Sequence, residues 1–198
     1  MTAGIILAAG ASSRMGRSKA LLPHPISGES FITYLVNVFR SGGADPVLVV
    51  GRAEDTPLRD QAVAAGAIFV TNPDPSRGQL SSLLAGMERA EALGVGGLLV
   101  CPVDLPGITP AVVTRVLAAS GTALIVRPTC QDRAGHPVYF SRALFPELHA
   151  ADPSVGARAV VHADPSRVLA VPCDEPGILT DVDTPEDYER LRTGRSRA

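Results

Sequence analysis

The chain has 198 residues, 45% of them hydrophobic and 19% charged, and its net charge is −2. That balance suits one domain with an apolar core and excludes a disordered chain. No basic cluster is long enough to suggest a nucleic-acid surface, and the short basic tail from Arg190 to Arg197 does not change this.

The three cysteines, Cys101, Cys130 and Cys173, are odd in number and scattered, which fits reduced thiols in a cytoplasmic protein. The N-terminal apolar run is about six residues, too short for a signal peptide or a membrane span. No membrane partner is expected.

Strand-like and helix-like segments alternate. Ala3 to Ala9 reads as a strand covered on both faces. Phe31, Ile32, Leu35, Val38 and Phe39 mark a helix closed by Gly42-Gly43. A strand at Val47 to Val50, a helix at Leu58 to Ala65 and a strand at Ala67 to Thr71 follow. Leu80, Leu83, Leu84 and Met87 give the next helix face, and Val95 to Val100 a strand stopped by Pro102. Thr109-Pro110 pairs a helix cap with a first-turn proline. Ala123 to Val126 and His136 to Phe140 read as strands, Arg142 to His149 as a short helix, Val168 to Val171 as a late strand. Thr184-Pro185-Glu186-Asp187 opens the last helix.

Single helices between strands predict a doubly wound α/β fold with a mostly parallel sheet. The alternation weakens late in the chain, where an antiparallel strand is expected. One domain spans residues 1–192, and 193–198 form the basic tail. Ligands of such sheets bind beyond the carboxyl ends of the strands.

Four segments at such ends carry candidate chemistry. In the first, Leu7-Ala8-Ala9-Gly10 runs through Ser12 to the cations Arg14 and Lys19. Small residues let backbone N–H groups approach an anion, and the cations neutralise it. Gly10 and Gly16 are one residue too far apart for a Walker loop, and Ala11-Ser12 breaks a dinucleotide fingerprint. The bland alternative is a glycine-rich turn with two solvated cations.

In the second, Gly78-Gln79-Leu80-Ser81-Ser82 begins an amphipathic helix, where free N–H groups and polar side chains can meet a base or ribose. Alternatively Gln79 or Ser81 simply caps that helix. In the third, prolines flank Asp104, which is placed to hold a divalent cation or else to cap the next turn. Asp181 and Asp183 share one face of an extended chain, and like charges so close call for a cation between them. Asp183 is the preferred partner of Asp104, with Asp181 behind it. In the fourth, His136 stands between Gly135 and Pro137, and is either an acceptor contact or a strand-end histidine bonded to a carbonyl. His24, His149 and His162 have no evident companions.

The loop Leu7-Ala8-Ala9-Gly10-x-Ser12-x-Arg14-Met15-Gly16-x-x-Lys19 resembles the signature of nucleotidyltransferases. Together with Gly78-Gln79-x-Ser81-Ser82, Pro102-Val103-Asp104-x-Pro106, Gly135-His136-Pro137 and Asp181-Val182-Asp183-Thr184-Pro185, it resembles the MobA-like NTP transferase domain family. Within that family the likeness is to molybdenum cofactor cytidylyltransferases, with Ala9-Gly10 where guanylyltransferases carry two glycines. Ser154 stands where the family usually has an aspartate, which leaves the acceptor contacts near Arg158 open.

The resemblance implies a Rossmann-like nucleotidyltransferase fold and transfer of CMP from CTP to a molybdopterin phosphate. Arg14 and Lys19 would hold the triphosphate, and Asp104 and Asp183 a Mg2+ ion with Asp181 behind them. Leu7, Ala8, Ala9, Gly10, Ser12, Gly78, Gln79, Ser81 and Ser82 would contact the nucleotide, and His136 the acceptor. A molybdoenzyme or its chaperone is the implied partner. The competing readings are a guanylyl, sugar-, polyol- or lactyl-phosphate transferase, and a non-catalytic cofactor-delivery module.

Overall fold

Residues Ala3 to Leu7 are buried without a break, so both faces of the first strand are covered by other elements. The computed structural model describes residues 1–12 and 14–194, so the expected tail lies outside the described residues from 195 on. The strands are β1 (Thr2–Leu7), β2 (Val47–Gly51), β3 (Ile68–Thr71), β4 (Gly97–Pro102), β5 (Ile125–Cys130), β6 (Arg133–Ala134), β7 (Val138–Ser141) and β8 (Val168–Pro172). The α-helices are α1 (Phe31–Ser41), α2 (Thr56–Ala64), α3 (Gln79–Ala92), α4 (Pro110–Ala119), α5 (Phe145–His149), α6 (Arg158–Ala163) and α7 (Pro185–Thr193). No helix among the described residues is long and apolar enough to cross a membrane.

The strands form one sheet in the order β3-β2-β1-β4-β7-β5-β6, with β8 also paired to β5. β1 to β4 are parallel, and so are β5 and β8. The antiparallel strand expected late in the chain is β7, which runs against both β4 and β5, and β6 extends it. The fold class is the α/β, mostly parallel arrangement expected from the sequence. Alternate residues feed two cores. Ile6, Val49, Leu99 and Val126 pack under α1, α2 and α4, while Ile5, Leu48, Val50, Leu98 and Ile125 pack under α3, α5 and α6.

Several boundaries differ from the expectation. β1 stops at Leu7, although Ala8 still donates to the Val50 carbonyl at 2.8 Å. The helix expected over 142–149 divides into a 3-10 turn at Arg142–Leu144 and the short α5, because Pro146 has no N–H for a continuous ladder. The two-residue β6 and the six-residue α6 carry too little periodicity to be read from sequence.

From β1 the strand order runs outward through β2 to β3, whereas β4 lies on the other side of β1. This reversal opens a crevice beyond the ends of β1 and β4, at Leu7 and Pro102. A second opening comes from the β5–β7 hairpin. Its register passes from Val126↔Tyr139 to Thr129↔Ala134, so the two β5 residues 127–128 face the four residues 135–138. The resulting bulge lifts His136 out of the ladder.

The last segment is clamped onto this edge by backbone contact. Val182 donates to the Asp104 carbonyl at 2.8 Å, and His136 donates to the Ile178 carbonyl at 3.2 Å. A Cβ on Gly177 would lie 2.1 Å from the Gly107 carbonyl oxygen, so only glycine permits this approach. Gly177→Ala should therefore destabilise the protein by about 2–3 kcal/mol. It should also weaken any ligand affinity that depends on Asp183. Urea unfolding and nucleotide titration check this; wild-type values in both would remove the clamp from the argument.

Candidate active site

Lys19 lies in a 3-10 turn after the β1 loop and is almost entirely buried, at 9% exposure. A buried ammonium needs counter-charges. It finds them in Asp104, 3.4 Å from Nζ, and in Asp183, which accepts a hydrogen bond from the same nitrogen. Arg14, largely exposed, adds an ion pair to Asp183 at 3.1 Å. Three segments remote in sequence thus meet around one cation.

Local folding explains each placement. Ser12, at φ 49°, turns the loop, and its hydroxyl accepts from the Lys19 N–H at 3.3 Å. Met15, Leu22, Phe31, Val182 and Tyr188 form a small apolar cluster that ties this loop to the α7 segment. Thr184 and Asp187 make a capping box, and Asp187 also accepts from the Asp183 N–H at 3.1 Å. Thr109 caps α4, and the Asp104 carboxylate accepts from Lys19.

The two carboxylates are pushed apart in acidity. Burial raises the Asp104 pKa above the ordinary carboxylate range, against the Lys19 charge and with help from the Asp183 charge. The hydrogen bond from Lys19 holds Asp183 below that range despite its partial burial. Asp181 has no hydrogen-bond or ion-pair partner among the described residues.

A cavity of about 250 Å³ adjoins the cluster, lined by Leu7, Ala8, Ala9, Gly10, Ser12, Lys19, Gly78, Gln79, Ser82 and Asp104. Arg14, Ser81 and Asp183 are not in that lining. The Ser81 hydroxyl donates to the Gly78 carbonyl at 2.8 Å and accepts from Asn72, so it locks the loop. Neither Gln79 nor Ser81 is the cap of α3; the cap position is Gly78, which has no side chain to satisfy the first N–H groups. α1, α2, α4 and α7 all have side-chain caps, and α3 instead presents its start to the cavity. Sequence reasoning gave no role to Asn72, which opens the Gly78 segment and bonds both Ser81 and Ser82, and missed Arg52, whose Nε donates to the Ala9 carbonyl at 2.9 Å. Neither residue lies in a recognisable motif.

A larger cavity of about 560 Å³ shares Leu7, Gln79 and Pro102 with the first and extends over β7 and β5. His136 lines it, together with Arg127, Arg158 and His162. His162 therefore has a companion that the sequence did not reveal. So do His149, 3.1 Å from Glu91, and His24, stacked on Tyr34 with ring centroids 3.9 Å apart. The His136 Nδ1 lies 3.4 Å from the Val100 carbonyl. A carbonyl only accepts, so Nδ1 carries the proton and a neutral ring leaves Nε2 as an acceptor. This is the carbonyl contact that the strand-end alternative for His136 expects. Burial lowers its pKa, and the nearby Arg158 charge lowers it further.

Asp104 and Asp183 supply hard oxygen donors of the kind Mg2+ and Mn2+ take. No cluster of three or more His, Cys, Asp or Glu side chains forms a metal site among the described residues. The donor set therefore fits a cation that also draws ligands from phosphate and water.

Comparison with known proteins gives the chain a family and relatives of the same fold. The family described as the MobA-like NTP transferase domain matches residues 4–168. A molybdenum cofactor guanylyltransferase of Xanthomonas euvesicatoria is 30% identical, over 95% of this chain and 93% of its own. A nicotine blue oxidoreductase of Paenarthrobacter nicotinovorans is 32% identical, with 95% of each chain covered. The structure of Rv0371C from Mycobacterium tuberculosis in complex with manganese superposes with a TM-score of 0.70 at 26% identity, covering 97% of this chain and 98% of that one.

The buried histidines predict a pH dependence. His24 accepts from the Ser27 N–H at 3.2 Å through Nδ1, and burial lowers its pKa below 6.5. Below that value the unfolded chain binds the proton and the folded one resists it, so this stability is complete above 6.5 and lost as pH falls. Thermal melts between about pH 5 and 7.5 should show the loss, and His24→Phe should lessen it, leaving the part that His136 contributes. An identical slope in both proteins would end this reading.

Proposed function

We infer the function of this chain from its membership of the MobA-like NTP transferase domain family, to which it belongs and whose enzymes are nucleotidyltransferases. The reaction we propose is transfer of a nucleoside monophosphate from an NTP to the phosphate of a molybdopterin-type acceptor, with release of pyrophosphate. The observation that carries it is Lys19 held between Asp104 and Asp183 at the mouth of a cavity where α3 begins uncapped.

The triphosphate would occupy the smaller cavity, with Lys19 and Arg14 offsetting its charge and the first N–H groups of α3 donating to it. Asp104 and Asp183 would hold Mg2+ or Mn2+, with Asp181 behind them. When bound, the cation supplies charge neutralisation and Lewis-acid polarisation. Leu7, Ala8, Ala9, Gly10, Ser12, Gly78, Gln79 and Ser82 would surround the nucleotide, and Arg52 would fix the loop by holding the Ala9 carbonyl.

An acceptor phosphate oxygen would attack the α-phosphorus and form the new P–O bond as the bond to pyrophosphate breaks. That oxygen is ionised at neutral pH, so no general base is needed, and orientation with charge screening is the protein's contribution. His136 would meet the acceptor in the larger cavity through its Nε2 lone pair, pairing with an N–H or O–H. The domain span 1–192 and a receiving molybdoenzyme or its chaperone belong to the same proposal.

The nucleotide base has two readings. CTP is favoured by Ala9-Gly10 in the loop. GTP is supported at least as well, because the relative at 30% identity is a guanylyltransferase. Ala8 N–H and Ala9 C=O are committed to Val50 and Arg52, which leaves few backbone groups there for a cytosine edge. The relative described as an oxidoreductase makes a direct assay the proper test of the activity class.

Pyrophosphate release from CTP, GTP, ATP and UTP with Mg2+ or Mn2+, with and without molybdenum cofactor, should show acceptor-dependent turnover. CTP above GTP supports the cytidylyl reading, and GTP at or above CTP selects the guanylyl one. No pyrophosphate release from any of the four nucleotides would sink the proposal. Asp104→Asn and Asp183→Asn should each lower kcat/KM on the order of a hundredfold or more while the fold persists. Near wild-type rates in either variant at ordinary metal concentration would remove it from the metal site.

A further inference from the structure

Asn72 follows β3 and is buried, at 2% exposure, with both ends of its amide committed. Its Oδ1 accepts from the Asp74 N–H at 2.9 Å. A backbone N–H only donates, so this contact fixes which end of the amide is the oxygen. The Nδ2 end therefore faces the start of α3. It gives its two protons to the hydroxyls of Ser81 and Ser82, each at 2.9 Å.

The two serines spend their own protons differently. Ser81 donates to the Gly78 carbonyl at 2.8 Å. That is the carbonyl four residues before Ser82, where a serine within a helix commonly sends its proton. Ser82 makes no such bond: its hydroxyl accepts from Asn72 and donates to nothing among the described residues. Ser82 is buried and lines the smaller cavity, whereas Ser81 does not. The bond from Asn72 occupies a lone pair of the Ser82 oxygen, and an amide nitrogen cannot accept in return. The Ser82 proton is thus left for whatever fills the cavity. The N–H groups at the uncapped start of α3 are donors as well, so this wall calls for a ligand rich in lone pairs.

We propose that Asn72 is a positioning residue that holds the Ser82 hydroxyl as a hydrogen-bond donor to the bound nucleotide. This rests on the reading that the smaller cavity takes the NTP, and it adds the polarity of one contact. The nucleotide atom against Ser82 is an acceptor, either a phosphate oxygen or an oxygen or ring nitrogen of the nucleoside. Asn72 is not part of the cavity lining and acts on this contact through Ser82.

The test is a double-mutant cycle read by calorimetric titration of CTP, GTP, ATP and UTP, each with Mg2+ and no acceptor. Ser82→Ala should weaken the best-bound nucleotide at least fivefold. Asn72→Ala should weaken it too, by a factor at least threefold larger in the wild-type background than in the Ser82→Ala background. Any effect of Asn72 through Ser81 or on the fold is common to both backgrounds and cancels. A merely structural Asn72 would lower affinity by the same factor in both, and that result would overturn the proposal. So would wild-type affinity in Ser82→Ala.

Inorganic triphosphate is titrated in parallel. The same loss in Ser82→Ala assigns the contact to a phosphate oxygen, and a loss confined to the nucleotides assigns it to the nucleoside. Should Asn72→Ala not fold, Asn72→Asp keeps the size and turns the Ser82 proton inward, toward a carboxylate. Its charge repels phosphate in both backgrounds, so the cycle still isolates the hydroxyl. A larger loss where Ser82 is present supports the proposal, and equal losses end it. Wild-type protein that binds none of the four nucleotides would overturn the transferase reading and the proposal with it. Nucleotide binding without coupling overturns only the role of Asn72.

Discussion

One ammonium group organises this molecule's chemistry. Lys19 cannot be buried without counter-charges, and the two that satisfy it stand 85 and 164 residues further along the chain. Much of the surrounding architecture serves that meeting. β4 ends at the crevice and delivers Asp104, and the glycine contact presses the 175–180 loop against its neighbour. The capping box then fixes the backbone at Asp183. Remove the lysine and two carboxylates face each other without an intervening charge, a costly arrangement in a half-buried place.

The sheet supplies rigidity, and the loops at its carboxyl edge supply the chemistry. Both faces of β1 and β4 are packed, so Leu7 and Pro102 are fixed points from which the loop to Lys19 and the Asp104 turn begin. The loops are secured by short-range polar contacts, among them Arg52 to Ala9 and Asn72 to the two serines. The departure from regularity at 135–138 has the opposite role, since it breaks a ladder to open a larger space. One cleft thus joins a compact site, where Lys19 meets two carboxylates, to a roomier one lined by Arg127 and Arg158.

How much of this could be read from residues alone follows from the range of each interaction. β1, β2 and β4 are apolar runs bounded by glycine or proline, and the caps Thr109 and Thr184 precede first-turn prolines, so those elements were legible. The phosphate loop, Asp104 and Asp183 were legible as motifs. That Lys19 bridges both aspartates was not, because no local pattern encodes contacts at such separations. β6 and α6 are too short to show a period, and the register shift around His136 is a property of two strands together. Arg127 lies just past the strand read over Ala123 to Val126, and no motif marks it before the cavity beside it is seen.

The order of these pieces along the chain has a consequence for how the molecule is partitioned. The strands of the sheet end at Pro172, so the sheet is complete without the segment that carries Asp183. Asp183 lies beyond that point, and without it Lys19 has only one of its two carboxylates. A chain that ended at Pro172 would therefore keep the strands of its sheet and lack the second carboxylate. Proteolytic nicking near residue 175 would return the finished molecule to the same condition without dismantling its sheet.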